Sequence, residues 1–162
     1  MPNQKNHHIA DADDPLTWTI AHDPLIMPFF LNLERARKVS HARARIIWDR
    51  NDLTPAEFDV LAILRNAEAP HELTPGQIQD RVLITSGGLT KVIHLLEEKQ
   101  YVERSVAQDD NRVKPVRLTA AGSRCITRTM RDLADMTRDW LKSTFEEGDI
   151  RIATQVLRKI AE

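Results

Sequence analysis

Apolar residues recur at helical spacing from residue 25 to about residue 50, where Phe29, Phe30, Leu33, Ala36, Val39 and Ile46 or Ile47 share one broad face. Residues 1–24 are polar and carry Pro2, Pro15 and Pro24, the pattern of a flexible segment with at most a short helical turn at 16–21. Asn51-Asp52 interrupts the first helix. Thr54-Pro55-Ala56-Glu57 then has the layout of a capping box with proline at the first helical position, and Thr74-Pro75-Gly76-Gln77 repeats it. The first predicts a helix through Phe58, Leu61, Ala62 and Leu64 that ends before Pro70. The second predicts a short helix through Ile78 and Val82. Thr85-Ser86 caps a third, with Leu89, Val92, Ile93 and Leu96 inward. Three short helices on short connections have helix-turn-helix spacing.

After Gln100 the period changes to that of strands. Tyr101-Val102 opens an extended run, Val116 and Leu118 share one face of another, and Gln108-Asp109-Asp110-Asn111 supplies turn residues between them. This predicts a two-stranded hairpin. Thr119 caps a long helix with Ile126, Met130, Leu133, Trp140, Leu141 and Phe145 inward. Gly148-Asp149 is read as a break and new cap, followed by a last amphipathic helix through Ile152, Val156, Leu157 and Ile160. The class is mainly α with a small β-hairpin wing: a winged helix-turn-helix lobe over residues 51–119 between dimerisation helices at 25–50 and 120–162. The apolar stripes at both ends exceed what one small lobe can cover, so the terminal helices are expected to cover each other or a second copy of the chain.

The 162 residues carry 23 basic and 24 acidic side chains, so bulk charge alone does not bind nucleic acid. Between Thr74 and Leu118, seven basic residues (Arg81, Lys91, Lys99, Arg104, Arg112, Lys114, Arg117) meet six acidic ones (Asp80, Glu97, Glu98, Glu103, Asp109, Asp110). DNA binding must therefore rest on where the charges stand. No apolar run reaches the roughly 20 residues of a membrane span. The opening Met1-Pro2-Asn3-Gln4-Lys5-Asn6 lacks the character of a secretory signal, and Cys125 is the one cysteine, so a cytoplasmic protein without membrane contact is expected.

Catalytic chemistry is thinly represented. His71-Glu72 lacks the second histidine of a zinc-binding helix because Pro75 occupies that place. His7-His8 lies in the polar tail, and no cofactor or metal is expected. Cys125 reads as a small buried hydrophobe, with oxidant sensing as the alternative. No nucleophile–base pair emerges, and an enzyme is not expected.

Thr85-Ser86-Gly87-Gly88-Leu89-Thr90-Lys91 is more informative. Small residues fill the first helical turn, where amide donors lack helical partners and the dipole favours a phosphate. Thr90, Lys91 and His94 lie opposite Leu89 and Val92, free to meet base edges. Arg112 and Lys114 stand at or just after the hairpin turn, within reach of a minor groove.

These segments resemble the MarR family of regulators. Leu53-Thr54-Pro55-Ala56-Glu57-Phe58-Asp59-Val60-Leu61 is similar to the helix after that family's dimerisation helix. The run from Thr85 to Lys91, with Leu95-Leu96-Glu97 and Tyr101-Val102-Glu103-Arg104, resembles its recognition helix and first wing strand. Asp110-Asn111-Arg112, Val116-Arg117-Leu118-Thr119 and Gly122 resemble its wing signature, with Asn111 in place of the usual first arginine and an atypical Pro115 that removes a ladder donor. The resemblance covers roughly residues 25–162. It implies a homodimeric winged-helix regulator, usually a repressor, that binds a double-stranded palindromic operator and is released by a small effector, aromatic or anionic in character. The family's urate-responsive branch adds an N-terminal Trp, an Asp in the second core helix and two Arg residues. Trp18, Asp59 and Arg104 resemble three of these, while Val92 stands where the fourth would be. The plainer reading makes Asp59 and Arg104 a salt bridge and Trp18 a lid. A dimeric winged-helix interaction module without specific DNA binding is the alternative function.

Overall fold

The computed structural model describes residues 23–104 and 114–161. It divides into two compact units, Met1–Ala44 and Arg45–Glu162. Helix α1 spans Ile26–Arg50. Its start is fixed by Asp23, whose carboxylate Oδ1 accepts from the Leu25 and Ile26 amides at 3.0 and 2.8 Å. Along α1, Leu31, Ala44, Ile47 and Trp48 are buried, whereas Phe29, Phe30, Val39 and Ile46 remain about half exposed.

In the second unit, α2 (Pro55–Asn66), α3 (Pro75–Gln79) and α4 (Ser86–Glu98) form the three-helix module, and both expected capping boxes are present. Thr54 Oγ1 accepts from Glu57 N while Glu57 Oε2 accepts from Thr54 N, and Thr74 and Gln77 repeat the exchange. Helix α2 is the hub. It packs against α3, α4 and α5 (Ala120–Thr144), burying Val60, Leu61 and Leu64 completely. Ile78, Ile93, Leu96 and Ile126 close the core around it. Trp48 and Phe58 stack at a tilt, ring centroids 5.5 Å apart.

The wing differs from the expected hairpin. It is a three-stranded antiparallel sheet in the order β1-β3-β2, made of Glu72–Leu73, Val116–Leu118 and Val102–Arg104. Strand β3 is therefore central, with Arg117 opposite Glu72 on one side and Glu103 on the other. Two residues are too few to show a period, which is why β1 is silent in the sequence. Pro115 precedes β3 rather than interrupting it, so it costs the ladder no donor. The last break also moves. Helix α5 ends at Phe145, whose extended backbone separates it from α6 (Glu147–Ala161), and Gly148 lies inside α6 instead of before it. Phe145, expected inward, is half exposed, as are Ile152, Val156, Leu157 and Ile160 along α6. No helix among the described residues is long and apolar enough to cross a membrane.

Candidate nucleic-acid interface

The Thr85 cap sets the outer surface of α4. Its Oγ1 accepts from Gly88 N at 3.2 Å, which leaves the Ser86 and Gly87 amides at the open end of the first turn. The two glycines differ. A Cβ on Gly87 would meet nothing within 4 Å, so its missing side chain leaves clear space outside the protein. A Cβ on Gly88 would sit 3.1 Å from Thr85 Oγ1, so that glycine serves the cap.

Leu89, Val92, Ile93 and Leu96 are buried, and Thr85, Ser86, Gly87, Thr90, Lys91 and His94 face outward as the pattern requires. The Thr90 hydroxyl donates to Ser86 O at 3.2 Å, and His94 lies 3.6 Å from Glu98 across one turn. Helix α3 is tied to this start by the Gln79 side-chain amide, which donates to the Ile84 carbonyl. In the turn between them Leu83 is fully exposed. Sequence reasoning missed this residue, although an apolar side chain beside the recognition turn and outside the α3 stripe was its signal.

The near-neutral charge of the lobe resolves into two sets. Lys99, Arg104 and Arg117 are neutralised within it. Arg117 Nη2 is 2.8 Å from Glu72 Oε2, and Arg104 Nε is 3.1 Å from Glu97 Oε1. Lys99 Nζ lies 2.9 Å from Glu57 Oε1 and donates to the Asp52 carbonyl at 2.6 Å. Partial burial pulls the Lys99 pKa down, but the hydrogen bond and charge of Glu57, reinforced by Asp52, outweigh this and hold it above the ordinary lysine value. Arg81, Lys91 and Lys114 are exposed and form no ion pair with any described residue.

Asp59 lies on the exposed face of α2, and Arg104 ends β2 in its pair with Glu97. Trp18, Arg112, His7-His8 and the turn at Gln108-Asp109-Asp110-Asn111 fall outside the described residues.

Cys125 is 5% exposed on the inner side of α5. Interaction with the Cys125 thiol, together with burial, lifts the Tyr101 phenol above its usual pKa. Cys125→Ser should cost about 1 kcal/mol of stability, since it buries a hydroxyl in place of the thiol. DNA affinity before and after mild peroxide should match wild type. A wild-type oxidant response that the serine variant lacks would instead make the thiol a sensor.

Three helices, an outward polar α4 and a β-wing behind it define a winged helix-turn-helix protein. Residues 51–112 match the family model for the MarR family. The regulator PecS of Dickeya dadantii is 31% identical over 101 residues, 62% of this chain, and the chain spans 61% of that regulator's length. Two solved structures share the fold. A MarR family transcriptional regulator from Streptomyces coelicolor, determined in complex with DNA, has a TM-score of 0.70 at 18% identity, covering 83% of this chain and 84% of its own. NadR in complex with 4-hydroxyphenylacetate has a TM-score of 0.62 at 18% identity, covering 100% of this chain and 99% of its own. Over residues 51–112 the chain matches the MarR family, and its winged helix-turn-helix fold is shared with structures of that family.

Proposed function

We propose that this chain is a repressor that binds a palindromic operator as a homodimer and leaves it on binding a small effector. The carrying observation is the division of charge in the lobe: Lys99, Arg104 and Arg117 are spent internally, while Lys91 stands exposed beside the open turn at Gly87. A helix with that turn can set its first amides on a phosphate and its Thr90 and Lys91 side chains on bases. The DNA-bound Streptomyces neighbour supports this reading of the fold, and the ligand-bound NadR supports an effector, for which Trp18, Asp59 and Arg104 are the residues we nominate. The half-exposed apolar residues of α1 and α6 support a dimer, which should sediment at twice the chain mass at micromolar concentration. A monomer there would refute the two-fold operator.

Two recognition helices on a two-fold axis meet successive major grooves, so half-sites should lie about 10 bp apart. Lys91→Ala should lose about 1–3 kcal/mol on the cognate site and less on random duplex. Arg112→Ala should weaken both and reduce the salt dependence by about one counterion per half-site. Binding to cognate and scrambled duplexes across a salt series measures both. If neither substitution changes affinity or slope, the helix and wing are not the DNA surface, and a protein-interaction module replaces the proposal.

A further inference from the structure

Outside the recognition helix, the strongest uncompensated charge lies on α5. Arg124, Arg128 and Arg131 recur at four- and three-residue spacing, and with Ser123 and Thr127 they line a shallow, open groove along the helix. Like charges at that spacing repel along a helix, and Arg124 stands one turn in from the positive end of the α5 dipole. No carboxylate among the described residues pairs with any of the three. Arg128 is nonetheless held in place: its Nε donates to Asn51 Oδ1 at 2.8 Å, and Asn51 Nδ2 donates to the Ile47 carbonyl at 2.9 Å. Asp132 and Asp135 follow one turn after Arg128 and Arg131 without closing an ion pair on them, while one guanidinium is already oriented and two hydroxyls stand beside it.

We infer that this groove is a binding site for a small, multiply charged oxyanion, phosphorylated or polycarboxylate. Guanidinium forks match the paired oxygens of such groups, and Ser123 and Thr127 supply hydroxyl donors. Because Arg128 also grips the turn between α1 and α2, an anion seated here braces that turn and raises the melting temperature. The same chemistry could be offered by a phosphate of the DNA backbone, and the test separates the two sources.

Inorganic pyrophosphate is titrated into the full chain by calorimetry at constant ionic strength, with thermal melts in parallel. The expected result is saturable binding of one anion per chain, a higher melting temperature, and at least about tenfold weaker binding by the R124Q/R131Q variant. Arg131→Gln alone serves if the double variant melts early. Absence of saturation at millimolar pyrophosphate, or equal affinity in the variant, overturns the site. This arm contains no DNA, so it stands or falls apart from operator recognition. In the second arm the variant binds duplex without pyrophosphate, and unchanged affinity and salt slope are expected. A fall in both, together with no pyrophosphate binding by wild type, overturns the proposal and assigns the arginines to the DNA backbone.

Discussion

Gly122→Ala is expected to cost more than about 3 kcal/mol and to lower the melting temperature by roughly 6–12 °C or more. A Cβ at this position would lie 2.1 Å from the Tyr101 carbonyl oxygen, 2.9 Å from its carbon and 2.9 Å from Leu118 Cδ1. The obstacle is backbone, and it is fixed. The Tyr101 carbonyl accepts from Thr119 N at 3.0 Å and from Thr119 Oγ1 at 3.1 Å, while Thr119 Oγ1 also accepts from Gly122 N at 3.0 Å. Relief requires α5 to move off the start of β2, giving up those bonds at about 1 kcal/mol each in addition to overpacking of about 1–3 kcal/mol. For a chain of this size, each kcal/mol lowers the melting temperature by roughly 2–4 °C. Urea denaturation measures the loss, and a change below about 1 kcal/mol would show that the junction yields. Gly87→Ala is the contrast. Its open surroundings predict a fold at least as stable as wild type, because alanine is the better helix former by about 1 kcal/mol.

That glycine shows how unevenly the molecule can be read from its sequence. The resemblance marks Gly122 as part of a signature, but its reason is a contact with Tyr101 that no local pattern contains. Where structure follows from neighbours in the chain, reading succeeds. Thr54–Glu57 and Thr74–Gln77 form the expected boxes, Thr85 and Thr119 cap the expected helices, and α4 buries Leu89, Val92, Ile93 and Leu96 as its spacing requires. Where structure depends on distant pairing, reading fails. Strand β1 exists only because Glu72 and Leu73 meet Arg117 and Val116. Propensity alone makes Gly148 a break, yet the chain opens at Phe145–Glu146 and tolerates glycine in the first turn of α6. Charge behaves likewise. The sequence supplies a near-balance of signs in the lobe, and only the pairing of Lys99, Arg104 and Arg117 shows which cations remain for a partner.

Lys99 supplies the other large effect. Glu57 belongs to a capping box, where carboxylates are usually solvated, but here it is 1% exposed. Its Oε2 takes the Thr54 amide at 2.7 Å, and its other oxygen has Lys99 Nζ at 2.9 Å. Lys99 caps the end of α4, where a cation suits the helix dipole, and its ammonium also bonds the carbonyl of Asp52 in the turn before α2. One side chain thus joins the end of α4 to the start of α2. Lys99→Met keeps the aliphatic stem and strands a buried carboxylate. The expected loss is about 3 kcal/mol, the low end for breaking a buried pair because Lys99 is itself 26% exposed. Adding Glu57→Gln should recover much of it, since the amide oxygen still accepts from Thr54 while the stranded charge is gone. The pH dependence has a definite sign. The folded-state pKa of Lys99 is raised, so its contribution is complete below the unfolded value of about 10.4 and fades only as pH rises through the folded one. The gap between wild type and Lys99→Met should therefore be constant from neutrality to mildly alkaline pH and close above it. Urea midpoints across that range decide the matter. A gap that closes near neutrality, or a double variant no more stable than Lys99→Met, would show that the ion pair is not what holds α4 to α2.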